Sequence, residues 1–295
     1  MAGANSTKVV FAALLGNLAV AVAKGVAAFI TGSGAMLAET IHSLADSGNQ
    51  ALLLYGVRRS KRPADARHPF GYGSERYFWA FIVALVLFSL GALFSLYEGV
   101  HKLRHPAPIQ SVWWAIGVLL VAMIIEGWTF SVARRELKKV MGTRGFWHYF
   151  GRSKEPSLPL VYLEDLGALF GLVIALIGIV ASHWGGYVYA DGIATCAIGL
   201  LLGVVAGVLL RRCHRLLIGE AASDEDARKI LEVVHRVEGI GDLIELKTLQ
   251  VGPQYIIVGL EVRLDGDMEA IDRLEEAIRA EVPMAKYIAI EPYLD

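Results

Sequence analysis

Glu39, His42, Asp46 and Asn49 stand at i, i+3, i+7 and i+10 in the segment AETIHSLADSGNQ, a spacing that puts all four on one face of a helix. A histidine and an aspartate four residues apart offer an imidazole nitrogen and a carboxylate oxygen one turn from each other. Two ligands so spaced hold one ion in zinc sites. A second apolar stretch, VYLEDLGALFG, carries the adjacent acids Glu164 and Asp165, and Asn17, Glu126 and Asp191 lie in three further stretches. Asp165 would supply a third oxygen, with Glu164 or water as the fourth ligand. A lone histidine in such a setting is more often a hydrogen-bonded packing residue, but the pairing with Asp46 and the second acidic pair favour metal. A proton relay through the same groups without metal stands as the alternative. No Cys or Met belongs to the cluster, which argues against copper(I), and calcium wants more oxygen ligands. Zinc fits best, followed by manganese, iron, cobalt and nickel.

These residues lie in a chain built for lipid. Of its 295 residues 55% are apolar and 19% charged, against about 25% charged in ordinary soluble domains. The mean hydropathy is +0.49. Such a composition excludes an ordinary soluble enzyme, a collagen-like chain and a disordered one. Cys196 and Cys213 lie in or beside an apolar stretch and suggest no disulfide framework. Apolar runs at 9–30, 34–57, 78–100, 111–132, 158–182 and 187–210 are each near the ~20 residues that cross a bilayer, so six membrane spans are expected. The first run is too long for a cleaved signal peptide, contains Lys24, and is followed closely by another span.

The net charge of −1 is a cancellation: residues 1–218 carry a net +9 and residues 219–295 a net −10. The basic excess sits after the second run (Arg58, Arg59, Lys61, Arg62, Arg67, Arg76), after the fourth (Arg134 to Lys154) and after the sixth (Arg211, Arg212, Arg215), whereas the opposite links hold few or no basic residues. The positive-inside rule then puts both termini in the cytosol or its equivalent. Two rows of glycine, Gly199-Gly203-Gly207 and Gly167-Gly171, are expected to let helix backbones approach closely. With no targeting segment before the first span, a bacterial inner membrane is the simplest location. The acidic C-terminal part gives no support for nucleic-acid binding.

Beyond Ile218 the pattern changes. Residues 224–238 and 267–281 read as amphipathic helices, and 243–251, 254–264 and 286–292 as strands, the first two forming a hairpin about Gly252-Pro253. The order α-β-β-α-β implies a small α+β domain of ferredoxin-like type. At ~75 residues it is marginal alone, which makes dimerisation plausible. The chain therefore reads as a transmembrane domain over 1–218 and a cytosolic domain over 219–295.

The GSGAMLAETIHSLADSGNQ segment, the following HPFGYGSER, the six spans and the C-terminal α+β domain resemble the cation diffusion facilitators over nearly the whole chain, and ETIHSLADSGNQALL with VYLEDLGALFG is similar to the zinc transporter nine-like branch. The resemblance implies a homodimer in the lipid bilayer that exports divalent metal from the cytosol in exchange for protons. His42 and Asp46 match the second-span half of the family's transport site and Asp165 the fifth-span half. The family commonly has His or Asp four residues before that last Asp, and Val161 stands there. Glu164 is the natural substitute and Glu39 a second. Of the family's accessory loop site Asp65 and His68 are kept, with Tyr72 in place of a second histidine; a basic turn without metal is slightly favoured there. In the C-terminal domain only His235 and Glu291 could be remnants of a zinc cluster, the matching strand positions being Ile244, Gly259 and Ala289, so no binuclear zinc is expected. That acidic domain would gather cations near the cytosolic entrance.

The resemblance further implies alternating access, in which the first, second, fourth and fifth spans rock against the third and sixth. Metal binding needs deprotonated ligands, so ion and protons compete for His42, Asp46 and Asp165. The competing readings are a metal-sensing or scaffold protein of transporter descent and an intramembrane metalloenzyme using the cluster to activate water. Against the enzyme, the sequence holds no HExxH.

Overall fold

The computed structural model describes residues 2–31, 34–106, 112–143, 145–265 and 268–293; the side chains of 2–9, 13, 24, 27, 28, 30, 31, 34–42 and 45 lie outside the described residues. The chain runs α1 (Ala2–Thr31), α2 (Gly34–Arg59), α3 (Glu75–Val86), a π-helical segment (Leu87–Leu93), α4 (Phe94–Arg104), α5 (Val112–Met141), α6 (Phe146–Arg152), α7 (Ser157–His183) and α8 (Ala190–Ile218). The second unit follows as α9 (Asp224–Arg236), β1 (Ile240–Gly252), β2 (Tyr255–Leu264), α10 (Glu269–Glu281) and β3 (Ala285–Tyr293).

Among the described residues four stretches are long and apolar enough to cross a membrane: Glu75–Arg104, Val112–Met141, Ser157–His183 and Ala190–Ile218. Each reaches beyond its expected apolar run at one end or both, because the helix does not stop where the hydrocarbon does. In α5 the buried Ala133 and Leu137, one turn apart, carry the helix nine residues past the apolar run, through Arg134, Arg135, Lys138 and Lys139. Helices α1 and α2, of 30 and 26 residues, pack on each other, α1 also on α5 and α7, and α5 on α7. Helices α3, α4 and α8 form a neighbouring group, joined to the first through α2–α3 and α7–α8.

The glycine rows act at four of their five positions. A Cβ on Gly199 would meet the Leu96 backbone N at 2.8 Å and Ala92 O at 3.1 Å, and one on Gly203 would touch Ala92 at 3.6 Å, so this row brings α8 against the π-helical segment and α4. Gly167 and Gly171 face Val205, Leu202 and Ile198 of α8. Gly207, expected to pack in the same row, has no neighbour among the described residues within 4 Å of where a Cβ would lie. An unexpected contact closes the other end, where a Cβ on Gly99 would lie 2.7 Å from the Cys196 backbone N.

The C-terminal unit has the expected element order. Its sheet is β1-β2-β3, with β1–β2 antiparallel and β2–β3 parallel across the α10 crossover. Ile256, Val258, Leu260 and Val262 alternate along β2 and are buried against Ile230, Val233 and Val234 of α9 and Leu274 and Ile278 of α10. Ser223 caps α9, accepting from Asp226 N at 3.1 Å and donating to the Asp226 carboxylate at 2.5 Å.

The two units meet through specific contacts. Ser74 Oγ donates to Val251 O at 2.8 Å, and the rings of Phe70 and Tyr287 meet edge to face at 5.2 Å. Just after α8, Glu220 receives Lys154 at 2.8 Å, Arg212 at 2.6 Å and Arg215 at 3.0 Å. Burial would raise its carboxyl, but the hydrogen bonds from Lys154 and Arg212 hold it below the usual glutamate range. Arg76 and Glu155 form a further, buried ion pair at 2.7 Å. Some of the cations that mark orientation in the sequence are thus tied to acids at this junction.

Candidate transport site

Helix α7 presents Glu164 and Asp165 inward because Leu160, Val161 and Leu163 beside them are buried in the core. Glu164 is held from both sides by α2: Asn49 Nδ2 donates to Oε1 at 3.4 Å and Gln50 Nε2 to Oε2 at 3.0 Å. Asp165 is 3% exposed, and its Oδ2 is buried without a hydrogen-bond partner among the described residues. Thr129 of α5 sits against it. Asp46 of α2 and Glu126 of α5 lie within electrostatic range of both Glu164 and Asp165. Four carboxylates from three helices therefore act on one another across the low-dielectric interior, a mutual repulsion that a cation or protons relieve.

The expected residues are placed unevenly. Asp46 and Asp165 belong to this cluster, and Glu164 adjoins both. Glu39 and His42 lie on the continuous backbone of α2, but their side chains are outside the described residues. Val161 is fully buried in apolar contacts. Among the described residues no three His, Cys, Asp or Glu side chains come together as a ready ligand set. Gln50 and Thr129 are members that sequence reasoning missed. Gln50 follows Asp46 by four residues and so shares its face, and Thr129 follows Glu126 by three.

In the loop between α2 and α3, Asp65 is saturated by donors. Its Oδ1 accepts from Arg67 N at 2.9 Å and His68 N at 2.8 Å, with His68 Nδ1 at 3.4 Å, and Tyr72 OH donates to Oδ2 at 2.6 Å. The Tyr72 hydroxyl, then the His68 and Arg67 amides, pull the carboxyl down to about 2. Tyr72 thus occupies, with a hydrogen bond, the place where the resemblance implies a second histidine. In the sheet, Gly259 pairs with Ala289 and Glu261 with Glu291, while His235 Nδ1 lies 2.6 Å from Leu231 O.

Residues 10–218 match the family described as the cation efflux transmembrane domain, and the chain belongs to that family of integral membrane transporters. That membership sets aside the metalloenzyme. The chain is 33% identical over 248 residues to the Xenopus laevis protein named proton-coupled zinc antiporter SLC30A9, mitochondrial, covering 83% of this chain and 44% of that protein. It is 34% identical to metal tolerance protein C4 of Arabidopsis thaliana, covering 84% of this chain and 55% of that one. Similarity to the cation-efflux pump FieF of Escherichia coli is lower, 26% over 86% of this chain and 81% of the pump. These identities put the chain near the SLC30A9 branch, and it spans about half the length of the SLC30A9 and C4 relatives.

Proposed function

We propose that the protein exports divalent transition-metal cations, zinc foremost, by exchange for protons through one buried site reached alternately from each side. The observation that carries the reading is the buried Oδ2 of Asp165, without a hydrogen-bond partner among the described residues and within electrostatic range of the Asp46, Glu126 and Glu164 carboxylates. A carboxylate oxygen that lacks any donor in a protein interior is costly unless a proton or cation visits it. His42, Asp46 and Asp165 are assigned as ligands. Glu164 takes the fourth position in preference to Glu39, since it is held in range of Asp46 and Asp165. Metal binds only to deprotonated ligands, so protons arriving from the far side displace it. The names of two relatives, a proton-coupled zinc antiporter and a cation-efflux pump, support the same reading.

The proposed architecture is six spans over 1–218 and a cytosolic, ferredoxin-like domain over 219–295, both termini cytosolic, working as a homodimer in a bacterial inner membrane. The charge asymmetry of the loops supports the orientation. The Asp65–His68–Tyr72 loop is assigned as a hydrogen-bonded turn without resident metal. A metal sensor is the second reading, favoured by the apolar Val161 at a family ligand position.

Zinc flux into proteoliposomes under a pH gradient tests the proposal. Flux that Asp46→Ala abolishes supports transport. Saturable zinc binding without flux supports the sensor, and neither binding nor flux overturns both.

A further inference from the structure

We propose that His101 and His105 form a second divalent-metal site, separate from the buried carboxylates, for a borderline cation such as zinc, copper(II) or nickel. The two imidazoles lie at the end of the Glu75–Arg104 span, in the last turn of α4 and at its C-cap. His105 N donates to His101 O at 2.9 Å, so the i, i+4 relation of a helical turn holds at this end. The ring centroids are 5.1 Å apart with planes at 34°. That separation lets one nitrogen of each ring reach a common ion at about 2.0–2.1 Å.

The face on which they stand is open. Gly99 and Leu103 turn toward Cys196 and Gly192 of α8, and Lys102 pairs with Asp191 at 3.0 Å, which neutralises the nearest lysine. Tyr97, 68% exposed, leads into the row and stacks on His101 at 6.5 Å. A row of interfacial aromatic rings is the plain alternative. Against it, neither imidazole has a hydrogen bond or ion pair among the described residues, whereas His68 is engaged by Asp65 and His235 lies against a backbone carbonyl. The inner ligands are the two histidines, with water at the other positions.

The span begins beside the C-terminal unit, where Ser74 meets Val251, so the pair lies at its opposite end, about 45 Å away along the helix axis. Only its role rests on the proposed function: if the protein exports metal away from the C-terminal unit, the pair is an acceptor on the exit side. The site itself does not depend on that reading.

Copper(II) is the probe, added to the full-length protein in nanodiscs and read by electron paramagnetic resonance, with zinc flux measured on the same variants. The expected result is a two-imidazole copper signal in the wild type and in Asp46→Ala, lost in the His101→Gln/His105→Gln double variant. Each single variant should bind about tenfold more weakly or worse. Both side chains are exposed, so the double variant should keep the wild-type unfolding midpoint and its flux at saturating zinc. An unchanged copper spectrum and stoichiometry in the double variant overturns the site. Absence of flux in a wild type that shows the two-imidazole signal overturns the transport reading and leaves the site standing.

Discussion

Gln50 Nε2 donates to Glu164 Oε2 at 3.0 Å, tying a fully buried amide of α2 to a buried carboxylate of α7. With Asn49 on the other oxygen, the two helices that carry the proposed ligands share one carboxylate between them. Gln50→Leu removes the better of the two donors while filling the space. It should cost about 1 kcal/mol, the scale of interhelical hydrogen bonds within membranes, read as a lower unfolding midpoint in detergent. Glu164→Gln separates the clamp from the ligand role: zinc affinity should fall about tenfold or more, and unchanged affinity removes Glu164 from the ligand set.

Asp165 sets function against stability. Its Oδ2 is buried without a donor among the described residues, and three further acids are in range. Asp165→Asn removes one charge from this group at nearly constant volume. The metal-free protein should unfold at a higher temperature while zinc flux disappears, the trade expected where a site is built from mutually repelling groups. A variant that loses flux and stability together would mean that Asp165 serves the packing instead.

At the junction between the two units the relevant charge is Glu220, paired with Lys154, Arg212 and Arg215. Its folded pKa is depressed, so the stabilisation is complete above the unfolded glutamate value of about 4.3 and fades as pH falls through the lowered folded value. Unfolding midpoints of the wild type should therefore drop on acidification in that window. Glu220→Gln should be less stable at neutral pH and show a flatter acid limb.

The α2–α3 loop offers a gain-of-function test. Tyr72 OH holds Asp65 Oδ2 at 2.6 Å, and its removal in Tyr72→Phe should let the Asp65 carboxyl rise from about 2 toward its ordinary 3.8, followed by carboxyl-carbon NMR. Tyr72→His instead offers an imidazole beside Asp65 and His68. Zinc stoichiometry should then rise by one; no change would show that the loop geometry, rather than the missing ligand, keeps metal out.

How much of this was legible depended on cost. Ionisable residues in apolar runs are costly, so Asp46, Glu164 and Asp165 stood out in the sequence, and in the structure they lie within electrostatic range of one another without forming a ready ligand set among the described residues. Gln50 did not, because a neutral amide in an apolar stretch draws little notice, although its place four residues after Asp46 was visible. Elements fared similarly. The hairpin was marked by Gly252-Pro253 and the two amphipathic helices by their periodicity. The seven-residue α6 is too short to show a period, and the π-helical segment Leu87–Leu93 packs against α8, a contact that no local pattern records. The glycine row of α8 predicted contact at Gly199 and Gly203 but not the open position of Gly207, since a repeat outruns the partner helix without any change in sequence.

The last relationship lies where hairpin meets span. A Cβ on Gly252 would lie 2.6 Å from Gly73 Cα and 2.9 Å from Gly73 C, and one on Gly73 would lie 2.9 Å from Val251 O. These are backbone atoms, which cannot swing aside as a flexible side chain can, so either Cβ forces the β1–β2 turn away from the start of α3. Gly252→Ala should cost about 1–3 kcal/mol where the contact is rigid, and less where the hairpin lifts off and gives up Ser74–Val251. The two outcomes are separable by amide exchange on the full chain. Lift-off raises exchange at Gly252, Pro253-flanking amides and the first turn of α3 while the interior of β2 stays protected. A rigid contact instead lowers the global unfolding midpoint and leaves local exchange unchanged. Wild-type exchange and midpoint in the alanine variant would mean that the two units do not touch here in solution.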